Sequence, residues 1–138
     1  MRLGKDAKVE LIRKVPLFAR SSKRELREIA SVADEIDLKA GKELTRQGAT
    51  GREFFVILEG GAEVRRNGRK IRTLGEGDFL GEIALVSKSP RTATVTTTEP
   101  TRALVITAQS FDRLLRTNPQ IQRGILEALA DRLAPELL

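Results

Sequence analysis

Glu82 and Arg91 are the two side chains whose types and spacing best suit an anionic ligand that also carries sugar hydroxyl groups. A carboxylate accepts hydrogen bonds from a hydroxyl, and a guanidinium binds a phosphate through two parallel N–H groups. Small residues nearby leave backbone N–H groups open to phosphate oxygens: Gly81, Ala84 and Ala93. The segment therefore predicts an anion site. A salt bridge between Glu82 and Arg91 within a loop is the simpler alternative.

The motifs that contain these residues, FLGEIAL and SPRTATV, resemble the phosphate-binding cassette of the cyclic nucleotide-binding domain family. The resemblance extends over residues 15–133. It implies that Glu82 binds the ribose 2′-hydroxyl, that Arg91 binds the cyclic phosphate, and that backbone amides complete the phosphate site. The cassette residues that it places at the ligand are Leu80, Gly81, Glu82, Ile83, Ala84, Arg91, Thr92 and Ala93.

The same resemblance implies a wall and a lid for the purine base. Val64, Ile71 and Thr73 are the wall candidates, although Val64 and Ile71 equally fit an ordinary core. In the family the last helix closes over the base, which implies contacts from Leu133 and Leu137. Packing of that helix against the β-strands or against another subunit is the alternative.

Thr92 bears on the choice of purine, because relatives that prefer cGMP often use a hydroxyl at this position to contact guanine. Some relatives that bind cAMP carry the same residue, so Thr92 permits cGMP without requiring it. We expect cAMP as the ligand, with cGMP as the alternative, and neither a cofactor nor a metal. Binding is expected to reposition the C-terminal helices by shifting the population between two states.

The composition limits the chemistry that this chain of 138 residues can perform. It contains no cysteine and no histidine, which excludes disulfides, thiolate nucleophiles and histidine acid–base catalysis. Haem, iron–sulfur and zinc sites are not expected without those ligands, which separates the chain from gas-sensing relatives. No nucleophile–base pair or metal cluster accompanies the cassette. A non-enzymatic protein is therefore expected.

The formal net charge of +6 raises the question of a nucleic-acid or membrane partner. The densest basic cluster spans residues 65–70 across the turn signal Asn67-Gly68, and we interpret it as a solvated hairpin tip rather than a nucleic-acid patch. Aromatic residues make up 4% of the chain, which leaves few platforms for base stacking. No apolar run is long enough to span a membrane, and no secretory signal is present, so we expect a cytoplasmic protein without direct nucleic-acid binding.

Helical periodicity appears at both ends of the chain. It predicts a short helix over residues 8–14, ended by Pro16, and a second helix over 23–32 that begins with a Ser22–Glu25 capping box. Thr107 is the expected N-cap of a helix over 108–116, and Asn118-Pro119 begins the last helix. Pro135 is expected to end or kink that helix.

Short strands separated by glycine-rich turns occupy the middle of the chain. Runs over 54–58, 62–66, 69–74, 93–98 and 102–106 predict strands. The fold class is therefore α+β, a β-roll or double-stranded jelly roll of about eight strands flanked by helices. We expect one domain over 1–138, with helices over 1–32, the β-roll over 33–107, the cassette over 79–95 and the lid helices over 108–138.

Three functions remain open at this point. The first is a cyclic nucleotide-binding regulatory or sensor module that acts on an unknown downstream effector protein. The second is a module of the same fold that serves only interaction or dimerisation, and the third is an enzyme acting on a phosphate ester. We expect a monomer or weak homodimer, because the last helix is short. The Met1 start mildly favours a stand-alone chain, and a fragment of a larger protein is the alternative.

Overall fold

Eight antiparallel strands form two four-stranded sheets in the part of the chain that the computed structural model describes, residues 5–81 and 90–137. The strands are β1 Asp34–Leu38, β2 Glu43–Thr45, β3 Glu53–Glu59, β4 Ala62–Arg66, β5 Arg69–Leu74, β6 Phe79–Leu80, β7 Thr94–Thr97 and β8 Thr101–Thr107. Their orders are β1-β8-β3-β6 in the first sheet and β2-β7-β4-β5 in the second. With helices at both ends, this arrangement confirms the predicted α+β class.

Strand β3 explains why the two sheets form a roll. Alternate side chains of a strand point to opposite faces, and the four consecutive residues 54–57 of β3 are all buried. Phe55 and Ile57 pack between the sheets with apolar residues of the second sheet, whereas Phe54 and Val56 pack against the helices. The cluster between the sheets consists of Phe55, Ile57, Ala62, Val64, Leu74, Leu80, Ala93 and Val95.

The β4–β5 hairpin turns at Asn67 and Gly68, which have φ angles of 54° and 78°. A two-residue turn with positive φ at both positions matches the twist of the flanking strands, which is why Asn-Gly predicts it well. The charged side chains around the turn are exposed, as expected for a solvated tip. Strand β5 forms the edge of its sheet.

Two α-helices and a 3₁₀ helix between them precede the β-roll. Helix α1 spans Lys5–Arg13 and begins three residues earlier than predicted, and a 3₁₀ helix follows at Pro16–Phe18. Helix α2 spans Lys23–Val32, as predicted. Its capping box is complete, because the Ser22 hydroxyl accepts from the amide of Glu25 and the Glu25 carboxylate accepts from the amide of Ser22.

Two helices follow the β-roll. Helix α3 spans Ala108–Thr117, and the hydroxyl of Thr107 caps it by accepting from the amide of Ser110. Helix α4 spans Pro119–Leu137, so it continues through Pro135 instead of ending there. Proline removes one backbone hydrogen bond and its ring crowds the carbonyl four residues earlier, so a kink at Pro135 stays a prediction.

Asn118 joins these two helices and is fully buried. Its amide nitrogen Nδ2 donates to the carbonyl of Leu114 at 3.0 Å and to the hydroxyl of Thr117 at 2.9 Å. The side chain therefore satisfies the end of α3, while its backbone carbonyl accepts from the amide of Ile121 at the start of α4.

Candidate functional site

Arg91 is a charged residue in the interior of the described structure, with 6% of its surface exposed. Its backbone is attached on both sides to the loop that follows β2. The amide of Arg91 donates to the carbonyl of Ala49, and the amide of Gly48 donates to the carbonyl of Arg91, both at 2.9 Å. These two bonds fix the main chain at the point where the chain approaches β7.

The guanidinium of Arg91 is held by backbone carbonyls from two other segments. Its Nη2 donates to the carbonyl of Glu53 at 2.6 Å, and its Nη1 donates to the carbonyl of Gly81 at 3.3 Å. Hydrogen bonds to a charged donor are the stronger kind, and two of them define the plane of the group. The structure thus places a cation of fixed orientation beside Gly81.

Gly81 itself adopts a backbone conformation that favours glycine, with φ at +99°. It follows β6, whose Leu80 pairs with Phe55 of β3. Glu82, Ile83 and Ala84, which the sequence placed next at the ligand, lie outside the described residues. Their predicted roles stay predictions.

Three of the other predicted residues lie together in the interior of the roll. Leu80, Ala93 and Val64 are all buried in the cluster between the sheets. The carbonyl of Ala93 accepts from the hydroxyl of Thr45 at 3.0 Å, which ties this segment to β2. The structure therefore places Leu80, Ala93 and Val64 in one apolar cluster, and Gly81 against the guanidinium of Arg91.

Thr92 is exposed, and its backbone is held by the β4–β5 hairpin. Nε of Arg66 donates to the carbonyl of Thr92 at 3.1 Å. Nearby, Gln47 and Asn67 exchange two hydrogen bonds of 2.8 Å, and the amide of Gln47 donates to the hydroxyl of Thr94 at 2.9 Å. The hairpin tip, the loop after β2 and the start of β7 are thereby connected.

Ile71 and Thr73 do not join this region. Ile71 is 47% exposed, and Thr73 is exposed opposite Glu63. Leu74, the next residue, points between the sheets, so the alternation of the strand directs Thr73 to the outer face. The register instead pairs Val64 with Arg72, across a shift between Val64 and Arg65 that the sequence did not reveal.

The last helix includes Leu133 and Leu137 by its backbone, but their side chains lie outside the described residues. Nearer its start, Ile121 and Ile125 are buried in the apolar cluster that the helices form with Phe54 and Val56 of β3. The start of α4 therefore packs against the rest of the protein through these two residues, and the lid contacts stay predictions.

The parts of the site that sequence reasoning missed are contributions of the backbone. The carbonyls of Glu53 and Ala49 and the space at Gly51 place Arg91, and none of them depends on side-chain chemistry. The signal that could have found them is the run of turn residues before β3, which marks a loop that must pass close to another segment.

Two further features bear on the kind of site. Among residues 5–81 and 90–137, no group of three or more acidic side chains is arranged to hold a metal ion. No helix in the same part of the chain is both long and apolar enough to cross a membrane.

The described residues combine a buried arginine with an eight-stranded β-roll that has helices at both ends. The family model described as the cyclic nucleotide-binding domain matches residues 35–118, which is more than half of the chain. The chain therefore belongs to the cyclic nucleotide-binding domain family. Its similarity is to regulatory and sensor domains, and no catalytic family is indicated.

A similar curated protein is the cAMP-dependent protein kinase regulatory subunit of Schizosaccharomyces pombe. The two are 31% identical over 130 residues, which is 88% of this chain and 32% of that protein. The chain thus spans about a third of the length of this relative.

Solved structures of the same fold include PfPKA-R with cAMP bound, with a TM-score of 0.83, 24% identity, and coverage of 97% of this chain and 48% of that one. Another is the regulatory subunit of a cAMP-independent protein kinase A from Trypanosoma brucei. It has a TM-score of 0.83, 18% identity, and coverage of 92% of this chain and 46% of that one. Both likenesses establish the fold alone, because the identities are low.

Proposed function

We propose that this domain binds a cyclic purine nucleotide, with cAMP preferred, and that binding repositions its C-terminal helices. The observation that carries the proposal is the placement of Arg91, a buried guanidinium held by the carbonyls of Glu53 and Gly81. A guanidinium of fixed orientation suits a bound phosphate, because it can donate two parallel N–H groups to the phosphate oxygens. Glu82, beside Gly81 in the sequence, would bind the ribose hydroxyl.

The preference for cAMP rests on the relatives. The S. pombe protein is cAMP-dependent, and the PfPKA-R structure holds cAMP. Thr92 is exposed, so its hydroxyl would remain available to a guanine base, and cGMP is the alternative ligand. We also propose that the chain is not an enzyme, which predicts intact cAMP after prolonged incubation with the protein. A cytoplasmic location and an effector protein as partner stay predictions.

Isothermal titration calorimetry with cAMP, cGMP and 5′-AMP tests the proposal, after the purified protein has been shown to carry no nucleotide. We expect micromolar or tighter binding of cAMP, weaker binding of cGMP and very weak binding of 5′-AMP. Tighter binding of cGMP than of cAMP would reverse the proposed base preference, but the domain would still be a cyclic nucleotide sensor. Absence of heat with all three ligands would overturn the sensor and support a module used only for interaction, a possibility favoured by the T. brucei neighbour described as cAMP-independent.

Arg91 variants separate the site from the fold. Arg91→Lys keeps the positive charge but loses the two-pronged geometry, and Arg91→Ala loses both. We expect each to weaken cAMP binding at least tenfold, with the larger loss in Arg91→Ala. Arg69→Ala, which removes an exposed arginine of the β4–β5 hairpin, is the control and should bind cAMP normally.

Movement of the C-terminal helices is tested by amide hydrogen exchange with and without saturating cAMP. A ligand shifts a conformational equilibrium only through its different affinities for the two states, so a linked movement must change protection in α3 or α4. Unchanged exchange over residues 108–138 would contradict the repositioning while leaving nucleotide binding intact.

A further inference from the structure

The side chain of Arg91 passes directly over the backbone of Gly51. A Cβ atom built at Gly51 would lie 1.6 Å from Nε, 2.1 Å from Cζ and 2.5 Å from Cδ of Arg91. Any residue other than glycine would therefore occupy the space of the guanidinium. The φ angle of Gly51 is not positive, so this position requires glycine for space rather than for backbone freedom.

Gly81 bounds the same guanidinium at a second point. A Cβ atom there would lie 2.5 Å from Nη1 of Arg91 and 2.7 Å from the carbonyl oxygen of Glu53. Gly81 also has a φ of +99°, so replacing it would strain the backbone in addition to filling the space. Gly51 is therefore the cleaner position at which to test what the space does.

We propose that Gly51 is a positioning residue for the anion site, because the absence of its side chain sets the location and plane of the Arg91 guanidinium. A methyl group at this position would push Nε and Cζ away and break the fit to the carbonyls of Glu53 and Gly81. A displaced guanidinium no longer presents two parallel N–H groups to a phosphate. The ligand in this proposal rests on the proposed function. The contact between Gly51 and the Arg91 side chain does not depend on that function.

The first experiment compares the variants Gly51→Ala and Gly75→Ala by calorimetry with cAMP, at a temperature where both are fully folded. Gly75 is the matched control, because its φ is also not positive and no atom lies within 4 Å of a Cβ built there. We expect Gly51→Ala to weaken cAMP binding at least tenfold and Gly75→Ala to change it less than twofold. Normal affinity in folded Gly51→Ala would overturn the positioning role, since a purely structural glycine affects stability alone.

The second experiment tests the contact without any ligand. In a double-mutant cycle of urea unfolding, Gly51→Ala should destabilise the wild type but have little effect in the Arg91→Ala background, where the methyl group enters vacated space. If Gly51→Ala alone does not fold, the proposal still makes a prediction: the double variant with Arg91→Ala should fold. Equal losses in both backgrounds, or a double variant that also fails to fold, would overturn the proposal.

A third measurement observes the guanidinium itself. The Nε–Hε resonance of Arg91, assigned by its absence in Arg91→Lys, should shift in Gly51→Ala and stay unchanged in Gly75→Ala. If the wild type binds neither cAMP nor cGMP, the proposed function fails while this resonance and the unfolding cycle still decide whether Gly51 places Arg91. An unshifted resonance in Gly51→Ala would contradict the placement.

Discussion

Gly124 of α4 lies against Leu17 of the 3₁₀ helix at a separation that leaves little room for a side chain. A Cβ atom at Gly124 would lie 2.8 Å from Cδ1 of Leu17 and 3.4 Å from its carbonyl oxygen. Glycine in a helix costs about 1 kcal/mol relative to alanine. Glycine at this position has a structural reason despite that cost, because its small size lets the last helix pack closely against the 3₁₀ helix.

Gly124→Leu should separate α4 from the 3₁₀ helix. Forcing a large side chain into a packed contact costs about 1–3 kcal/mol, which exceeds the gain in helix propensity. We expect a loss of at least about 1 kcal/mol in the free energy of unfolding and faster amide exchange in α4. The control is Ala130→Leu, at an exposed position of the same helix, which should change stability by less than about 0.5 kcal/mol. Equal effects of the two variants would contradict a specific contact at Gly124.

Ser21 and Ser22 are neighbours for which truncation to alanine should have opposite effects. The Ser22 hydroxyl accepts from the amide of Glu25, so Ser22→Ala should cost about 1 kcal/mol. The Ser21 hydroxyl is buried without a hydrogen-bond partner in the described structure, so Ser21→Ala should be neutral or stabilising by up to about 1 kcal/mol. Urea unfolding of both variants measures the difference. A larger loss in Ser21→Ala than in Ser22→Ala would show that the assignment of roles is wrong.

The capping box also shows which features could be predicted from the sequence. Ser22–Glu25 and the Asn67-Gly68 turn depend on residues close together in the chain, and both form as predicted. Five strands were also predicted from the sequence, and their ends differ from the observed ones by about one residue, as at β7 and β8. Strands β1, β2 and β6 were not delimited, because charged residues alternate through β1 and β2 without a clear apolar run and β6 has only two residues.

The candidate site was predictable only where a side chain carries the chemistry. Arg91 was found because a guanidinium has a recognisable use, whereas Gly51 and the carbonyl of Glu53 contribute space and backbone oxygen. The register shift in the β4–β5 hairpin explains why the wall candidates Ile71 and Thr73 were misplaced. Strand β5 has one extra residue opposite the step from Val64 to Arg65. The side chains of β5 beyond that residue change faces, so Arg72 lies opposite Val64.

Asn118→Asp should destabilise the protein in a pH-dependent way. Nδ2 of Asn118 donates to the carbonyl of Leu114, and a buried carboxylate there would face that oxygen without a donor. Breaking such a contact with an uncompensated buried charge costs about 3–5 kcal/mol. Burial raises the pKa of the introduced carboxyl in the folded state above its unfolded value near 3.9.

The sign of the pH effect follows from that shift. Above the folded-state pKa the full penalty is present, and it decreases as the pH falls towards about 4, where the neutral acid can donate to Leu114. Unfolding free energies of Asn118→Asp and the wild type, measured from pH 7 to pH 4, should therefore converge. Asn118→Ala is the control, and its difference from the wild type should stay constant with pH. A constant difference for Asn118→Asp would contradict the burial of this position.

Gln47→Ala should loosen the connection between the hairpin tip and the segment that carries Arg91. Gln47 exchanges two hydrogen bonds with Asn67, and its backbone precedes Gly48, whose amide donates to the carbonyl of Arg91. Each exposed bond contributes about 0.5–1.5 kcal/mol, so losing two should speed amide exchange at Asn67 by roughly fivefold or more. Because the hairpin also holds the carbonyl of Thr92, we expect cAMP affinity to fall by a few-fold, well short of the loss in Arg91→Ala.

Arg46→Ala is the matched control for this connection. Arg46 lies beside Gln47, but its exposed side chain pairs with Glu43 at 2.7 Å and makes no described contact with the hairpin. It should leave both exchange at Asn67 and cAMP affinity unchanged, since exposed ion pairs contribute little. If exchange rises in Gln47→Ala while affinity does not fall, the hairpin tip is tied to the loop without supporting the anion site. If exchange is unchanged, the two hydrogen bonds do not hold the tip in solution.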